Sequence, residues 1–342
     1  MTRIYLVTGA GGNLGSALVK ELLSGGNKVR TLLQEGQDTI KGAENFYGDV
    51  QVLDSLRPFF AHKAEEKIIV IHAAGIISIE EKVSPLVQSV NVGGVKNIIA
   101  LCKEYKAERL IYVSSVHAIY SKEKVITEVE VFDPNLVDGS YAKSKAEATK
   151  LVLESGLDVV VLHPSGILVP GIGKNNNLNQ LIHDFINHQL FAICPGGYDI
   201  VDQRDVVNGI IKAVDKGRKG NCYILSGKYL TIKQLLDKVA ELSGQKKITK
   251  ILSTKFLLSV SAFCEFYYKL KKKKPLFTKY SIKTVSVYQE FSSQKAFKEL
   301  GYKARPITQT LKRIVNAYKD HNTKYLKKKS QKLSKKGALV RV

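Results

Sequence analysis

The chain has 342 residues, 44% of them apolar, which is enough to bury one large or two small cores. Four scattered cysteines, Cys102, Cys194, Cys222 and Cys264, form no C-x-x-C pair and have no His at ligand spacing. This argues against a disulfide scaffold or a metal site and for free thiols in a reducing, cytoplasmic setting. The formal net charge of +22 is concentrated, with nine Lys/Arg against one Asp over residues 319–342 and a block at Lys271–Lys274. That pattern carries no specific signal for nucleic acid. It leaves open a solubilising tail or a peripheral contact with an anionic membrane.

The first strand is expected at Ile4–Val7, so close to the start that no signal peptide is expected, and runs into Thr8-Gly9-Ala10-Gly11-Gly12-Asn13-Leu14-Gly15. Leu14, Leu18 and Leu22 then recur at helical spacing, so the context is strand, glycine turn, helix. In such a turn Gly9 permits the tight exit and Gly12 lets backbone amides approach a pyrophosphate. Gly15 lets the helix pack against the sheet, and the free N–H groups around Asn13 and Leu14 face the phosphates. A second strand is expected over Lys28–Leu33. The residues near its end select the cofactor: Glu35 would favour NAD, and Arg30, further back, tilts the choice slightly towards NADP.

Asn45–Val50 reads as strand three with Asp49 at its carboxyl end, and Asp54 as the cap of the next helix. Ile68–Ile71 is strand four, leaving through His72-Ala73-Ala74-Gly75, small residues that let backbone lie against a cofactor. A helix is expected from Pro85 to Tyr105, carrying Asn91, then strand five at Leu110–Val113 ending in Ser114-Ser115. A helix over 138–155 and strand six at Val159–Leu162, closed by His163-Pro164, complete six alternations. Six strand–helix alternations imply an α/β, Rossmann-type doubly wound parallel sheet over residues 1–165.

Beyond this the rhythm breaks. Residues 171–177 form a polar loop, Cys222–Leu225 is strand-like, and helices are expected at 179–190, 206–214, 231–243, 256–270, 291–300 and 308–318. Asp205 reads as the cap of the 206–214 helix. Residues 166–318 are expected to form a smaller substrate lobe, with later segments completing the sheet, and 319–342 a disordered basic tail. Phe256, Leu257, Val260, Phe263 and Tyr267 make an apolar stripe, but its most apolar window is far shorter than a membrane span of ~20 residues. The stripe fits a packed helix, and the neighbouring Lys271–Lys274 block keeps a lipid contact in view.

Tyr141-x-x-x-Lys145 places a phenol and an ammonium one helical turn apart, where the cation favours the phenolate and can hold a cofactor ribose. The pattern recurs at Tyr120–Lys124, Tyr229–Lys233, Tyr267–Lys271, Tyr268–Lys272 and Tyr325–Lys329 because lysine is common. Only Tyr141–Lys145 lies between strands five and six.

Thr8-Gly9-x-x-Gly12-x-x-Gly15, Gly48-Asp49-Val50, His72-Ala73-Ala74, Asn91-Val92-x-Gly94, Val113-Ser114-Ser115 and Tyr141-x-x-x-Lys145 together resemble the extended short-chain dehydrogenases/reductases. That NAD-dependent epimerase/dehydratase family includes sugar-nucleotide epimerases, dihydroflavonol reductases and 3-beta-hydroxysteroid dehydrogenases. The resemblance covers residues 4–318 and includes Val201-Asp202-x-x-Asp205-Val206 and Leu300-Gly301-Tyr302. It implies NAD or NADP as cofactor, and Ser115, Tyr141 and Lys145 as a catalytic triad with Asn91 ordering a proton relay. Asp49 would hydrogen-bond the adenine, and Val50, His72, Ala73, Ala74, His163 and Pro164 would line the cofactor. Two departures count against a sugar-nucleotide dehydratase. His163-Pro164 stands where Arg-Pro is usual, and no acid pair follows Ser115 in Ser115-Val116-His117-Ala118. The implied activity is therefore hydride transfer between nicotinamide and a ketone or secondary alcohol of a small, apolar substrate. A sugar-nucleotide epimerase and a silent cofactor-binding regulator are the alternatives, and a homodimer is compatible with any of them. His117 reads as structural, with a substrate contact as its other role.

Overall fold

The computed structural model describes residues 2–78, 81–170, 176–259 and 279–319. Seven parallel strands form the main sheet: β1 (Thr2–Thr8), β2 (Lys28–Leu33), β3 (Glu44–Tyr47), β4 (Glu66–His72), β5 (Arg109–Val113), β7 (Val159–Pro164) and β10 (Asn221–Leu225). Their spatial order is β10-β7-β5-β4-β1-β2-β3. The chain crosses over between β1 and β4, so the carboxyl ends of these two strands open the crevice in which doubly wound sheets bind ligands.

The near-continuous apolar strands follow from burial on both faces. Ile4, Leu6, Ile68, Val70, Leu110, Val159 and Val161 point into one core, shared with Ala142, Ala146 and Val152 of α5 (Ser140–Leu153). Tyr5, Val7, Ile69, Ile71, Ile111, Val160 and Leu162 point into the other, against α1 (Asn13–Ser24) and α7 (Gln203–Lys216). The same parity carries Thr8, His72, Tyr112, Ser114 and His163 onto the α5 side at the carboxyl ends of the strands. There the apolar layer gives way to a polar one.

Strand three ends at Tyr47, two residues short of Asp49. Asp54 lies in the first turn of α2 (Leu53–Phe60) and pairs with Arg57 at 2.9 Å; the cap position is Val52. The helix expected over 85–105 is α3 (Pro85–Gln88) and α4 (Gly94–Glu104), joined by a π turn at Ser89–Gly93. The α7 cap is Asp202, which accepts from Arg204 N at 2.8 Å. Asp205 lies inside the first turn, where its carboxylate is 2.7 Å from Arg305 Nε.

Later segments complete the sheet. β10 extends it beside β7, and α10 (Gln294–Leu300) buries Ala296 and Leu300 in the core that α7 covers. A third core lies under a small sheet of β8 (Gly166–Leu168), β9 (Gly197–Asp202) and β11 (Lys228–Thr231). It packs against α6 (Asn177–Ile186), α8 (Ile232–Ser243) and α11 (residues 307–319). A pair of short strands, β6 (Val125–Ile126) and β12 (Glu290–Phe291), and a helix α9 (Lys279–Ser286) complete the described elements. Residues 254–259 are helical, with Leu257 against the third core and Phe256 exposed. Val260, Phe263, Tyr267, the Lys271–Lys274 block and the basic tail lie outside the described residues. Among the described residues no helix is long and apolar enough to cross a membrane.

Candidate active site

The glycine turn is built by contacts that only glycine permits at two of its three positions. Gly9 has φ +69°, and a Cβ there would lie 2.7 Å from Ala74 N. A Cβ on Gly15 would lie 2.1 Å from Gly9 O. Both glycines are therefore fixed by backbone packing, the first by the β4 exit and the second by the turn itself. Gly12 differs. It has extended backbone, donates its N–H to Gly9 O at 3.0 Å, and a Cβ there would meet only that oxygen, at 3.2 Å. Gly12 is the N-cap of α1 and offers no side chain to the first-turn amides, so the helix start has amides for a pyrophosphate and no cap competing for them. This cradle fits a dinucleotide. Gly12→Val is expected to fold, since the backbone conformation is ordinary and the one close contact, with Gly9 O at 3.2 Å, asks for a shift of only a few tenths of an ångström. It is expected to lose the thermal stabilisation that NADH confers, and unchanged NADH affinity in the folded variant would remove the turn from the binding site.

Around the cradle, Ala73 and Ala74 press against Gly9, and Ala74 N donates to Thr8 Oγ1 at 3.3 Å. Gln203 of α7 donates to Asn13 O, so α7 begins at the turn. Val50 is buried beside Gly94. Half-buried Asp49 accepts from Gln51 N at 2.9 Å, which orients its carboxylate just beyond β3. Arg30 does not reach this region. Its guanidinium lies under the Phe46 ring, pairs with Glu44 at 2.8 Å and donates to the Phe59 and Ala61 carbonyls. The end of β2 instead presents Gln34 and Glu35, with Gln37 lying against Gly11 and accepting from Gln34 N at 3.0 Å.

Lys145 is 4% exposed, on the inward side of α5. Its ammonium donates to Val113 O at 2.9 Å and Tyr112 Oη at 3.3 Å, and lies 4.9 Å from the centre of the Tyr112 ring. Among the described residues no carboxylate pairs with it, and burial brings its pKa down to about 7. Tyr112 had no motif to mark it, because in the sequence it is simply one residue of an apolar strand. Its ring stacks on His72 (5.8 Å, 18°), and His72 Nδ1 is bonded to Thr8 Oγ1 at 2.7 Å. Thr8, His72, Tyr112 and Lys145 therefore form one buried row across three strands and α5. Burial lowers the His72 pKa to about 3, keeping that ring neutral beside the ammonium.

The π turn aims Asn91 into this row. Its amide accepts from Ile76 N at 2.8 Å and donates to Ile76 O and Ser144 Oγ, at 3.0 and 2.9 Å. A Cβ on Gly75 would meet Asn91 Oδ1 at 3.2 Å and Lys145 Nζ at 3.5 Å, so Gly75 is the point at which those two groups converge. On the other side Ser115 caps a short 3-10 turn, Val116–Ala118, accepting from His117 N at 3.2 Å. The His117 ring meets the half-buried Tyr141 ring edge-on at 6.1 Å. Ser114 is the other serine of the pair, and its hydroxyl is bonded to Thr149 inside α5 at 2.7 Å. His163 Nδ1 is bonded to Ser115 O at 2.9 Å, its ring stacks on Phe132, and burial lowers its pKa to about 4. The next residue, Pro164, ends β7 beside Leu225. Of the other Tyr/Lys pairs in the described chain, Tyr120–Lys124 lies in a loop and Tyr229–Lys233 spans β11 and α8.

Residues 5–225 match the family model of the NAD dependent epimerase/dehydratase family. The chain is 28% identical over 309 residues to "Sterol demethylase protein B" of Methylococcus capsulatus, covering 86% of this chain and 92% of that one. It is 26% identical to "4-hydroxy-2-methyl-3-oxo-4-farnesyl-3,4-dihydroquinoline-1-oxide ketoreductase" of Stigmatella aurantiaca, over 70% of this chain and 73% of that one. The gox2253 crystal structure superposes with a TM-score of 0.77 at 27% identity, covering 93% of this chain and 98% of its own. The chain belongs to the NAD dependent epimerase/dehydratase family and is an NAD(P)-dependent enzyme of the extended short-chain dehydrogenase/reductase type.

Proposed function

We propose that the protein is an oxidoreductase acting on a ketone or secondary alcohol of a small, apolar substrate, with Tyr141, Lys145, Ser115 and Asn91 as the groups that carry the reaction. What supports this reading is the buried Lys145 of α5, with Tyr141 one turn earlier on the same helix and edge-on to His117 in the turn that Ser115 caps. When bound, the nicotinamide supplies or accepts the hydride. Tyr141 gives a proton to the substrate oxygen in reduction and takes it back in oxidation. Ser115, held at the 3-10 turn, orients that oxygen. The Lys145 ammonium favours the phenolate and holds a ribose hydroxyl, while Asn91 fixes the loop after β4 against α5. Tyr112 is a positioning residue in this reading, since it reaches the reaction only through Lys145.

The apolar substrate is supported by the rim. Ser84 N donates to Ser140 Oγ at 2.9 Å, which pins the loop before α3 to the start of the Tyr141 helix. That loop exposes Ile77 and Val83, and α3 exposes Leu86. The names of the two relatives, one a sterol protein and one a farnesylated ketone reductase, point the same way. The third core, under β8, β9 and β11, serves as the substrate lobe in this reading. The basic segments supply a peripheral contact with anionic membrane that suits such a substrate, and a second copy of the chain remains an alternative partner. For the cofactor the reading favours NAD. Arg30, the residue that tilted the sequence towards NADP, is committed to Glu44 and two carbonyls, and Gln34 and Glu35 occupy the strand end.

The test is a thermal-shift comparison of NADH and NADPH, followed by a ketone and alcohol panel read at the nicotinamide absorbance. Stabilisation by NADH with turnover of an apolar carbonyl is the expected result. No stabilisation by either cofactor would overturn the reading. Tyr112→Phe should keep its fold, because the ring and its stacking remain, while one acceptor of the Lys145 ammonium is lost. The Lys145 pKa should then fall further, moving the pH at which NADH affinity declines to a lower value. An unshifted profile would remove Tyr112 from the row's function.

A further inference from the structure

Helix α11 presents two unlike faces. Leu311, Ile314, Val315 and Tyr318 are buried in the third core. Gln309, Lys312, Arg313, Asn316 and Ala317, at helical spacing, line an open cleft of about 530 Å³ with Pro170 and Arg204. Every polar side chain in this lining bears a donor, and none is a carboxylate.

The charges around the cleft do not balance. Asp202 and Asp205, on either side of Arg204 in the chain, are buried. Asp202 is met by Arg204 through Nε–Oδ1 at 3.0 Å and Nη2–Oδ2 at 2.8 Å, and Asp205 by Arg305 at 2.7 Å. Each carboxylate thus has an arginine hydrogen-bonded to it. Arg313 shares Asp202 as an ion pair at 3.8 Å without a hydrogen bond, and Lys312 has no ion-pair partner among the described residues. Two carboxylates set against Arg204, Arg305, Lys312 and Arg313 leave two positive charges in excess. Burial, followed by repulsion from Arg204, lowers the Arg313 pKa, and Asp202 offsets this only in part.

We propose that this cleft is an anion site for a phosphoryl group, with Arg313 and Lys312 gripping the phosphate oxygens and Gln309 and Asn316 flanking them. Guanidinium and ammonium donors arriving from one face suit the several oxygens of a phosphate, whereas a carboxylate would leave most of the donors unused. The phosphoryl group could belong to a soluble phosphate ester or to a lipid headgroup, and the recognition chemistry is the same for both. None of the lining residues belongs to the glycine turn, and the site does not depend on the proposed reaction.

The probes are inorganic phosphate and pyrophosphate, titrated calorimetrically into the NADH-saturated full chain with chloride matching the ionic strength. Saturable one-to-one binding is expected, and K312Q/R313Q should weaken it by roughly tenfold or more. That variant leaves Asp202 with Arg204 and Asp205 with Arg305. K312Q alone, at an exposed position, provides a second variant that retains every ion pair and should weaken binding less. Equal retention of wild type and double variant on phosphatidic-acid vesicles would assign the site to a soluble ester. Reduced retention of the double variant would assign it to a lipid phosphate. Heats that vanish at matched ionic strength would mean an adventitious ion only and would overturn the proposal. So would equal phosphate binding by wild type and the double variant, or tighter binding of acetate than of phosphate.

Discussion

Tyr141→Phe is expected to bind NADH almost as the wild type does and to lose about 10²–10⁴-fold in turnover, the usual worth of a positioned acid–base group. The ring stays, so its edge-on contact with His117 at 6.1 Å and its half-buried seat on α5 are preserved. The pyrophosphate would still meet the glycine turn, and a ribose hydroxyl the Lys145 ammonium. Only the proton exchanged with the substrate oxygen is removed. Steady-state rates on the carbonyl found in the panel, with NADH affinity measured alongside, check this. Near wild-type turnover in a folded variant would show that another group is the acid. Ser115→Ala should also spare cofactor binding, because Ser115 Oγ is fixed to His117 N and would reach only the substrate.

Lys145→Met should do something different: weaken NADH binding and turnover together while making the protein more stable. The ammonium is 4% exposed, has two neutral acceptors and no carboxylate, and its folded pKa lies at about 7 against an ordinary value of 10.5. A lysine whose folded pKa is depressed lowers stability. The cost is complete below pH about 7, where both folded and unfolded forms are charged. It shrinks as pH rises and is gone near the unfolded value. At about 1.4 kcal/mol per pKa unit the effect amounts to a few kcal/mol. The variant's gain in Tm should therefore be larger at pH 6 than at pH 9. A constant or inverted difference would mean that the ammonium is stabilised by something other than Val113 O and Tyr112. In the wild type NADH affinity should fall as pH rises through the same range, since a ribose hydroxyl is better held by the charged form. In the variant that dependence should be flat.

The alternation of apolar strands and amphipathic helices, and the glycine spacing after β1, are local properties, so they were legible in the sequence. Parallel strands buried on both faces need continuous runs such as Ile68–Ile71, and no other element fits such runs so close to Gly75. Motif context likewise singled out Tyr141–Lys145 among six matches to the pattern, and in the structure Lys145 of that pair donates to Val113 O at the end of β5. What a sequence cannot carry is which of several similar residues faces which neighbour. Asp202, and not Asp205, caps α7, because Asp205 is drawn to Arg305 from a segment 100 residues away. Arg30 entered the cofactor choice through its position near the end of β2, whereas its direction depends on Glu44 and the carbonyls of Phe59 and Ala61. Gly9, Gly12 and Gly15 look alike as letters. The β4 exit makes Gly9 obligatory and the backbone of Gly9 makes Gly15 so, whereas packing within the protein demands far less of Gly12. Tyr112 belonged to an apolar strand until the register set it between His72 and the ammonium of Lys145. The excess of two positive charges at α11 could be recognised only once the fold had set Asp202 and Asp205 against their arginines. Spacing along the chain determined the elements and the type of site. Contacts between residues distant in sequence decided the partner, and therefore the charge state and role, of each polar side chain.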